Sequence, residues 1–243
     1  MHIDSTQLHN QYLKKIEAIL TGDNTHDTGG LEDMRKADIA PFANTRFTLN
    51  YAAPTYEVAQ QSSGQIHGGW RVENKALRHE NFPFIKFTRI PPKGGGQTPG
   101  DKFHISVAKK DVPKAFELIS RLINSPESPI DSWKTSDVDR MDPRDTRLSL
   151  GAQFTLYPKP DRADGTYSPE FMGKMHALVS TIEQQLQAEG VGRSDHPPAS
   201  DVSAPQWRYT SYRNEHRSDR EGSAGQTEAL KNEPFFKLVA STR

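Results

Sequence analysis

Two periodicities alternate along the chain, a twofold one that marks strands and a 3.6-residue one that marks helices. The twofold pattern runs longest over residues 147–157. There Leu148, Leu150, Ala152, Phe154 and Leu156 face one way, and Arg147, Ser149, Gly151, Gln153, Thr155 and Tyr157 the other, which predicts a central strand. Residues 100–107 alternate as cleanly, with Phe103, Ile105 and Val107 on one face and Lys102, His104 and Ser106 on the other. Residues 46–51 and 82–90 read as further strands. In the short extended stretch D-S-W-K-T-S-D, Trp133 and Thr135 face away from Lys134.

Helical spacing first appears over residues 6–20, where Leu8, Tyr12, Leu13, Ile16, Ile19 and Leu20 form a stripe. It returns after Asp111, read as a cap with Pro113 in the first turn, as Ala115, Phe116, Ile119, Leu122 and Ile123. It returns again after the cap Ser168 as Phe171, Met175, Leu178, Val179, Ile182 and Leu186, with Gly190 as the stop. Pro234 divides a last helical stretch. Residues 59–69, 91–100 and 193–204 read as loops, the second as a mobile surface loop placed to act as a lid. Strands mix with helices, and no regular strand-helix-strand repeat carries a glycine-rich turn. The expected class is α+β, a single domain with a largely antiparallel sheet flanked by helices, spanning 41–243 behind a polar N-terminal arm of 1–40 with a short helix.

Composition narrows the chemistry. The 243 residues are 33% hydrophobic, with mean hydropathy −0.79, and suffice for one sizeable core. Lys+Arg and Asp+Glu are both 31, so the chain has no bulk field for nucleic acid, and any anion must be met by local clustering. With no cysteine, thiolate zinc sites and cysteine nucleophiles are excluded. G-D-K-F-H alone is too little for a two-metal phosphoesterase, and neither phosphate-loop pattern occurs. No apolar run approaches the ~20 residues of a membrane span, and the polar start lacks the apolar core of a cleavable signal.

Local clustering is found in W-R-Y-T-S-Y-R-N-E-H-R-S-D-R, residues 207–220. Arg213, Arg217 and Arg220 are spaced to converge on one dianion if the segment turns helically after Tyr212. Glu215 and Asp219 are interleaved with them, so a solvated, self-paired face is the competing reading. Lys102 and His104 on one strand face, Lys134, and Arg147 on the polar face of the long strand complete the candidate constellation.

Five blocks, G-D-K-F-H-I-S-V, S-P-I-D-S-W-K, R-L-S-L-G-A-Q-F-T-L-Y-P-K-P-D, S-D-V and S-Y-R-N-E-H-R-S-D-R-E-G, resemble in order the phosphothreonine lyases that bacteria inject into host cells as type III secretion effectors. The resemblance covers residues 82 to the C-terminus. It implies a β-elimination without metal or cofactor, removing phosphate irreversibly from the phosphothreonine of a pT-x-pY activation loop in host mitogen-activated protein (MAP) kinases. Such a reaction needs a base for the α proton, an acid for the departing oxygen, and cations for the phosphate. By resemblance Lys134 is the base, His104 the acid, and Lys102 assists. Arg147, Arg213 and Arg220 match the phosphate-binding arginines, and Tyr157 and Lys159 match positions near the tyrosine phosphate. The implied partners are phosphorylated host MAP kinases and a type III secretion machinery or its chaperone, with no nucleic acid and no membrane. The implied location is the host cytoplasm or nucleus.

The N-terminus departs from the family, offering only Lys14, Lys15, Ile16 and Ile19 where members carry a basic and apolar kinase-docking segment. Two rival functions stay open on the residues alone. A phosphopeptide-binding module needs the arginines but no base, and a hydrolytic phosphatase leaves threonine behind.

Overall fold

The computed structural model describes residues 29–78, 82–95, 98–142, 144, 147–219 and 221–241. Helix α1 (Lys36–Ile39) and helix α2 (Tyr56–Gln60) precede a three-strand meander of β1 (Ser63–His67), β2 (Trp70–Asn74) and β3 (Phe84–Arg89). Strand β4 (Asp101–Ile105) leads into α3 (Val112–Ile123), followed by β5 (Ser132–Ser136), β6 (Phe154–Leu156) and α4 (Pro169–Ala188). Strand β7 (Thr210–Asn214) and helices α5 (Ala224–Lys231) and α6 (Pro234–Ala240) complete the chain. The strands form one sheet in the order β1-β2-β3-β5-β6-β4-β7, antiparallel at each pairing. This is the expected α+β class with an antiparallel sheet.

Because side chains alternate across a strand, register alone decides which residues share a face. One row runs in register across the sheet as Val72, Phe87, Trp133, Leu156, Phe103 and Tyr212, all fully buried. Helices cover this face. Phe87 stacks on Trp133 with centroids 3.9 Å apart, and Phe116 of α3 packs on both. Phe235 of α6 packs on Phe103 and Tyr212. The stripes read for α3 and α4 are buried throughout. Each such side chain contributes roughly 1.5–3 kcal/mol of burial. Ser168 caps α4, its hydroxyl accepting from Phe171 N, and Gly190 ends the segment at φ 66. Leu31 and Ile39 already belong to this core.

Several expectations are corrected. Residues 46–51 form no ladder strand, although Phe47 and Leu49 do pack against the core. Thr48 N donates to Glu127 and Asn50 N to the Arg121 carbonyl, so a carboxylate and a helix end take the place of a neighbouring strand. Residues 59–69 are not loop. They close α2 and form β1, an edge strand whose polar residues hid its twofold pattern. Of the long strand over 147–157 only Phe154–Leu156 pairs; a π-helical turn occupies Arg147–Gly151. The Gln153 side chain caps the ladder there, accepting from Val107 N and donating to Val107 O. After Tyr212 the chain stays extended along β4 as far as Asn214 and then makes a single turn, in which Arg217 N and Ser218 N both donate to the Asn214 carbonyl, so no helix follows to carry Arg213 and Arg217 on one face. Asp111 does precede α3 but makes no cap bond, because its carboxylate accepts from Gly192 N. The helix expected over 6–20 lies outside the described residues.

Candidate active site

On the sheet face turned away from the helices, the register builds a second row: Glu73, Lys86, Lys134, Thr155, His104 and Ser211. Lys134 and His104 thus flank Thr155 of β6. At the usual strand spacing their backbones stand roughly 10 Å apart, a span that a lysine and an imidazole reaching inward can close on one substrate residue. Along the neighbouring row Lys102 lies directly opposite Arg213. The strand alternation read for residues 100–107 therefore holds, and it gathers Lys102 and His104 as expected.

Two of these cross-strand pairs join like charges, Lys86 with Lys134 and Lys102 with Arg213. Like charges in direct opposition destabilise a sheet, so a fold retains them where something else is gained. The second pair is also buried: Arg213 is 4% exposed and the Lys102 side chain 10%. Burial pushes the Lys102 ammonium down, and the Arg213 charge pushes the same way, while an ion pair with Glu215 works against both. Arg213 is held in place by donating from Nε to Ser218 Oγ (3.2 Å) and from Nη2 to Ser218 O (2.9 Å).

His104 is fixed from behind. Its Nδ1 lies 2.5 Å from Asp201 Oδ2, which leaves Nε2 as the ring nitrogen turned away from that carboxylate. Asp201 accepts further from Ser211 Oγ (2.7 Å) and Ser200 Oγ (3.0 Å). Burial would raise the Asp201 carboxyl, but the imidazolium charge and these hydrogen bonds outweigh it and hold the group below the usual carboxylate range. The pair is a carboxylate-oriented histidine with its acid form balanced by a fixed negative charge.

Beside this centre lies a cavity of about 370 Å³, whose lining includes Lys75, Lys86, Lys134, Lys159 and Tyr157. The Lys134 Nζ lies 3.6 Å from the Phe84 ring centroid. His104, Lys102 and Arg213 lie beyond Tyr157, over β4 and β7, so the site has a cationic cleft on one side of β6 and a buried acid and cation pair on the other. Among the described residues no group of three or more His, Asp or Glu side chains is placed to hold a metal ion.

Residues 5–241 match the OspF/SpvC family. The chain belongs to that family. It is 40% identical over 193 residues to the phosphothreonine lyase OspF of Shigella flexneri, covering 79% of this chain and 78% of the relative. It is 38% identical over 206 residues to the MAPK phosphothreonine lyase of Salmonella typhimurium, covering 85% and 81%. The solved structure of the type III effector and phosphothreonine lyase OspF from Shigella flexneri superposes with a TM-score of 0.73 at 34% identity, over 85% of this chain and 95% of that one.

Of the residues singled out in this OspF/SpvC sequence, Lys102, His104, Lys134, Arg213, Tyr157 and Lys159 lie on or beside one sheet face. Only the backbone of Arg147 is described, in the π-helical turn, and Arg220 lies outside the described residues. Arg217 is drawn off by an ion pair with the buried Glu233, and Arg208 is exposed, so the arginine segment is divided between a buried cation on β7, a structural ion pair and a solvated arginine. Lys86, Asp201, Ser211 and Glu215 were missed as site residues. Lys86 was within reach, since the alternation over residues 82–90 sets it opposite Phe87. Asp201 had only its place in the S-D-V block as a signal, because it lies in a loop 97 residues from His104 and no periodicity links the two.

Proposed function

We propose that this member of the OspF/SpvC family is a phosphothreonine lyase that inactivates MAP kinases by β-elimination at the phosphothreonine of a pT-x-pY activation loop. The observation that carries the reading is the register of Lys134 and His104 on either side of Thr155, next to the opposed cations Lys102 and Arg213. Lys134 Nζ takes the α proton of the phosphothreonine. The electrons of that C–H bond form the Cα=Cβ double bond, and the Cβ–O bond breaks. His104, oriented through Nδ1 by Asp201, gives its Nε2 proton to the departing bridging oxygen. Lys102 and Arg213 hold the phosphate as its charge builds, joined by Arg147 and Arg220 as the family resemblance implies. The products are dehydrobutyrine and inorganic phosphate. Only general acid and base steps are involved, so no cofactor takes part.

The cationic cleft fits the second phosphate. Tyr157 and Lys159 are assigned to the phosphotyrosine, two residues along an extended peptide, with Lys86 adding positive charge, whereas Lys75 is already paired with Glu73. We assign the catalytic domain to residues 41–243, with Leu31 and Ile39 from the preceding arm joined to its core. The relatives are named as MAPK phosphothreonine lyases and as a type III effector. Delivery through a type III system into the host cell, where phosphorylated MAP kinases are met, follows as part of the same reading.

The test is mass spectrometry of a doubly phosphorylated activation-loop peptide after incubation with the enzyme. The expected product carries dehydrobutyrine and is lighter than the threonine peptide by one water, and Lys134→Ala still binds the peptide without converting it. Recovery of threonine would establish a phosphatase, and binding without conversion by the wild type a phosphopeptide module.

A further inference from the structure

Glu215 is an acidic residue at the rim of a site built for an anion. It lies in the turn after β7, with its backbone N donating to the Gly100 carbonyl (2.9 Å), and its side chain is half exposed. From there the carboxylate reaches inward to the Lys102 ammonium. Lys102 also lies 5.9 Å from the Tyr157 ring centroid, and the phenol of Tyr157 is pushed up by burial first and by the Glu215 charge second. The carboxylate is therefore placed on Lys102, whose register partner is Arg213, and near Tyr157, where the lyase reading needs phosphate.

The two sides of this contact differ in rigidity. Lys102 and Arg213 project from paired strands and are buried, whereas Glu215 stands on an exposed turn. When a dianion competes for the cations, the acid is the partner able to withdraw.

Resting on the lyase reading, we infer that Glu215 is an internal stand-in for the substrate phosphate. It neutralises Lys102 in the empty enzyme, swings toward solvent as phosphate enters, and returns to displace the product. Three consequences follow from charge alone. The empty site is spared an uncompensated buried charge on Lys102. A monoanion gains little by exchanging with a carboxylate already in place, so the site favours dianions. Elimination leaves free phosphate among several cations, and an attached competitor shortens its stay. Glu215 is thus a specificity and release residue, separate from proton transfer.

The experiment compares inorganic phosphate binding to wild type and Glu215→Gln by calorimetry. Glutamine keeps the shape and an oxygen that accepts from Lys102 but removes the charge. The dissociation constant for phosphate should fall about tenfold, as loss of a competing charge-assisted contact implies, and the inhibition constant of phosphate in the elimination assay should fall with it. Glu215→Asp, which retracts the charge, should shift both constants in the same direction by less, and it carries the test if the glutamine variant folds poorly. Phosphate binding that is unchanged or weaker in these variants overturns the inference and makes Glu215 a support for Lys102. Conversion of the phosphothreonine peptide by the wild type is followed in parallel. Its absence defeats the lyase reading, whereas conversion without tighter phosphate binding in the variants defeats only this inference.

Discussion

At the scale of single residues, the His104–Asp201 pair shows how the proposed lyase would make an acid from a side chain with two equivalent-looking nitrogens. Asp201 accepts from Nδ1 and is itself held by Ser200 and Ser211, which orients the ring and, on the proposed reading, leaves Nε2 for the substrate. Asparagine at this position keeps the size but loses the charge, and its amide can donate to Nδ1 and so favour the wrong tautomer. Asp201→Asn should therefore lower kcat by about 10²-fold or more, the range for losing one positioned acid, while KM changes little. The charge interaction is reciprocal, so the imidazolium that balances Asp201 loses its own counter-charge in the variant. The high-pH fall of the rate profile should then move to lower pH, as a pH–rate series on both proteins would show. An equal loss in kcat and in peptide affinity, with an unshifted profile, would make Asp201 a structural support only.

Strand β4, which carries the candidate site residues Lys102 and His104, begins on a buried acid, Asp101. Asp101 accepts from Tyr212 Oη (2.5 Å), Asn214 Nδ2 (2.9 Å) and Tyr167 Oη (3.4 Å), yet burial dominates these bonds and pushes its carboxyl up to about 6. Because that lies above the ordinary 3.8, the folded chain holds the proton more tightly. The contribution to stability is fully present below the unfolded value and is lost as pH rises through about 6. Asp101→Asn removes this term, so the stability of wild type relative to the variant should drop by about 1.4 kcal/mol from about pH 5 to about pH 8 in urea melts. A pH-independent difference would refute it. The elements themselves were unevenly legible. Helices α3 and α4 were readable because each buries an unbroken stripe, and the face of β4 because it alternates strictly. Strand β6 was overextended because Leu148 and Leu150 mimic strand alternation, while a π-helical turn and the Gln153 side chain end the ladder, neither of which leaves a periodic trace. The β1–β2 hairpin had a local signal that went unread, Gly68–Gly69 with φ 54 and 84, the pair a tight two-residue turn demands. Lys134 and His104 could be named from the chain, but their meeting across β6 depends on a strand order that skips along the sequence.

Over the whole molecule the charges cancel, 31 against 31, yet one sheet face concentrates like charges in direct opposition. A fold selected for stability alone would disperse them, so on the proposed reading the face gives up stability for anion capture. Lys102 is the sharpest instance, since it is buried, opposed by Arg213 and matched only partly by a half-exposed acid. Replacing it by methionine keeps the length of the stem, fills the same space and removes both the desolvation cost and the repulsion. The lost ion pair gives back less, because Glu215 simply returns to water. Lys102→Met should thus be more stable by about 1 kcal/mol, or about 2–4 °C in Tm for a chain of this size. The variant should also bind phosphate at least tenfold more weakly, having lost a charge-assisted contact. Thermal melts with and without phosphate separate these effects in one experiment. The wild type should start lower and rise with added phosphate, as a ligand bound only by the folded state requires, whereas the variant should start higher and respond less. A variant that melts below the wild type would mean that Lys102 supports the fold, and the opposed cations would then need a structural explanation in place of a functional one.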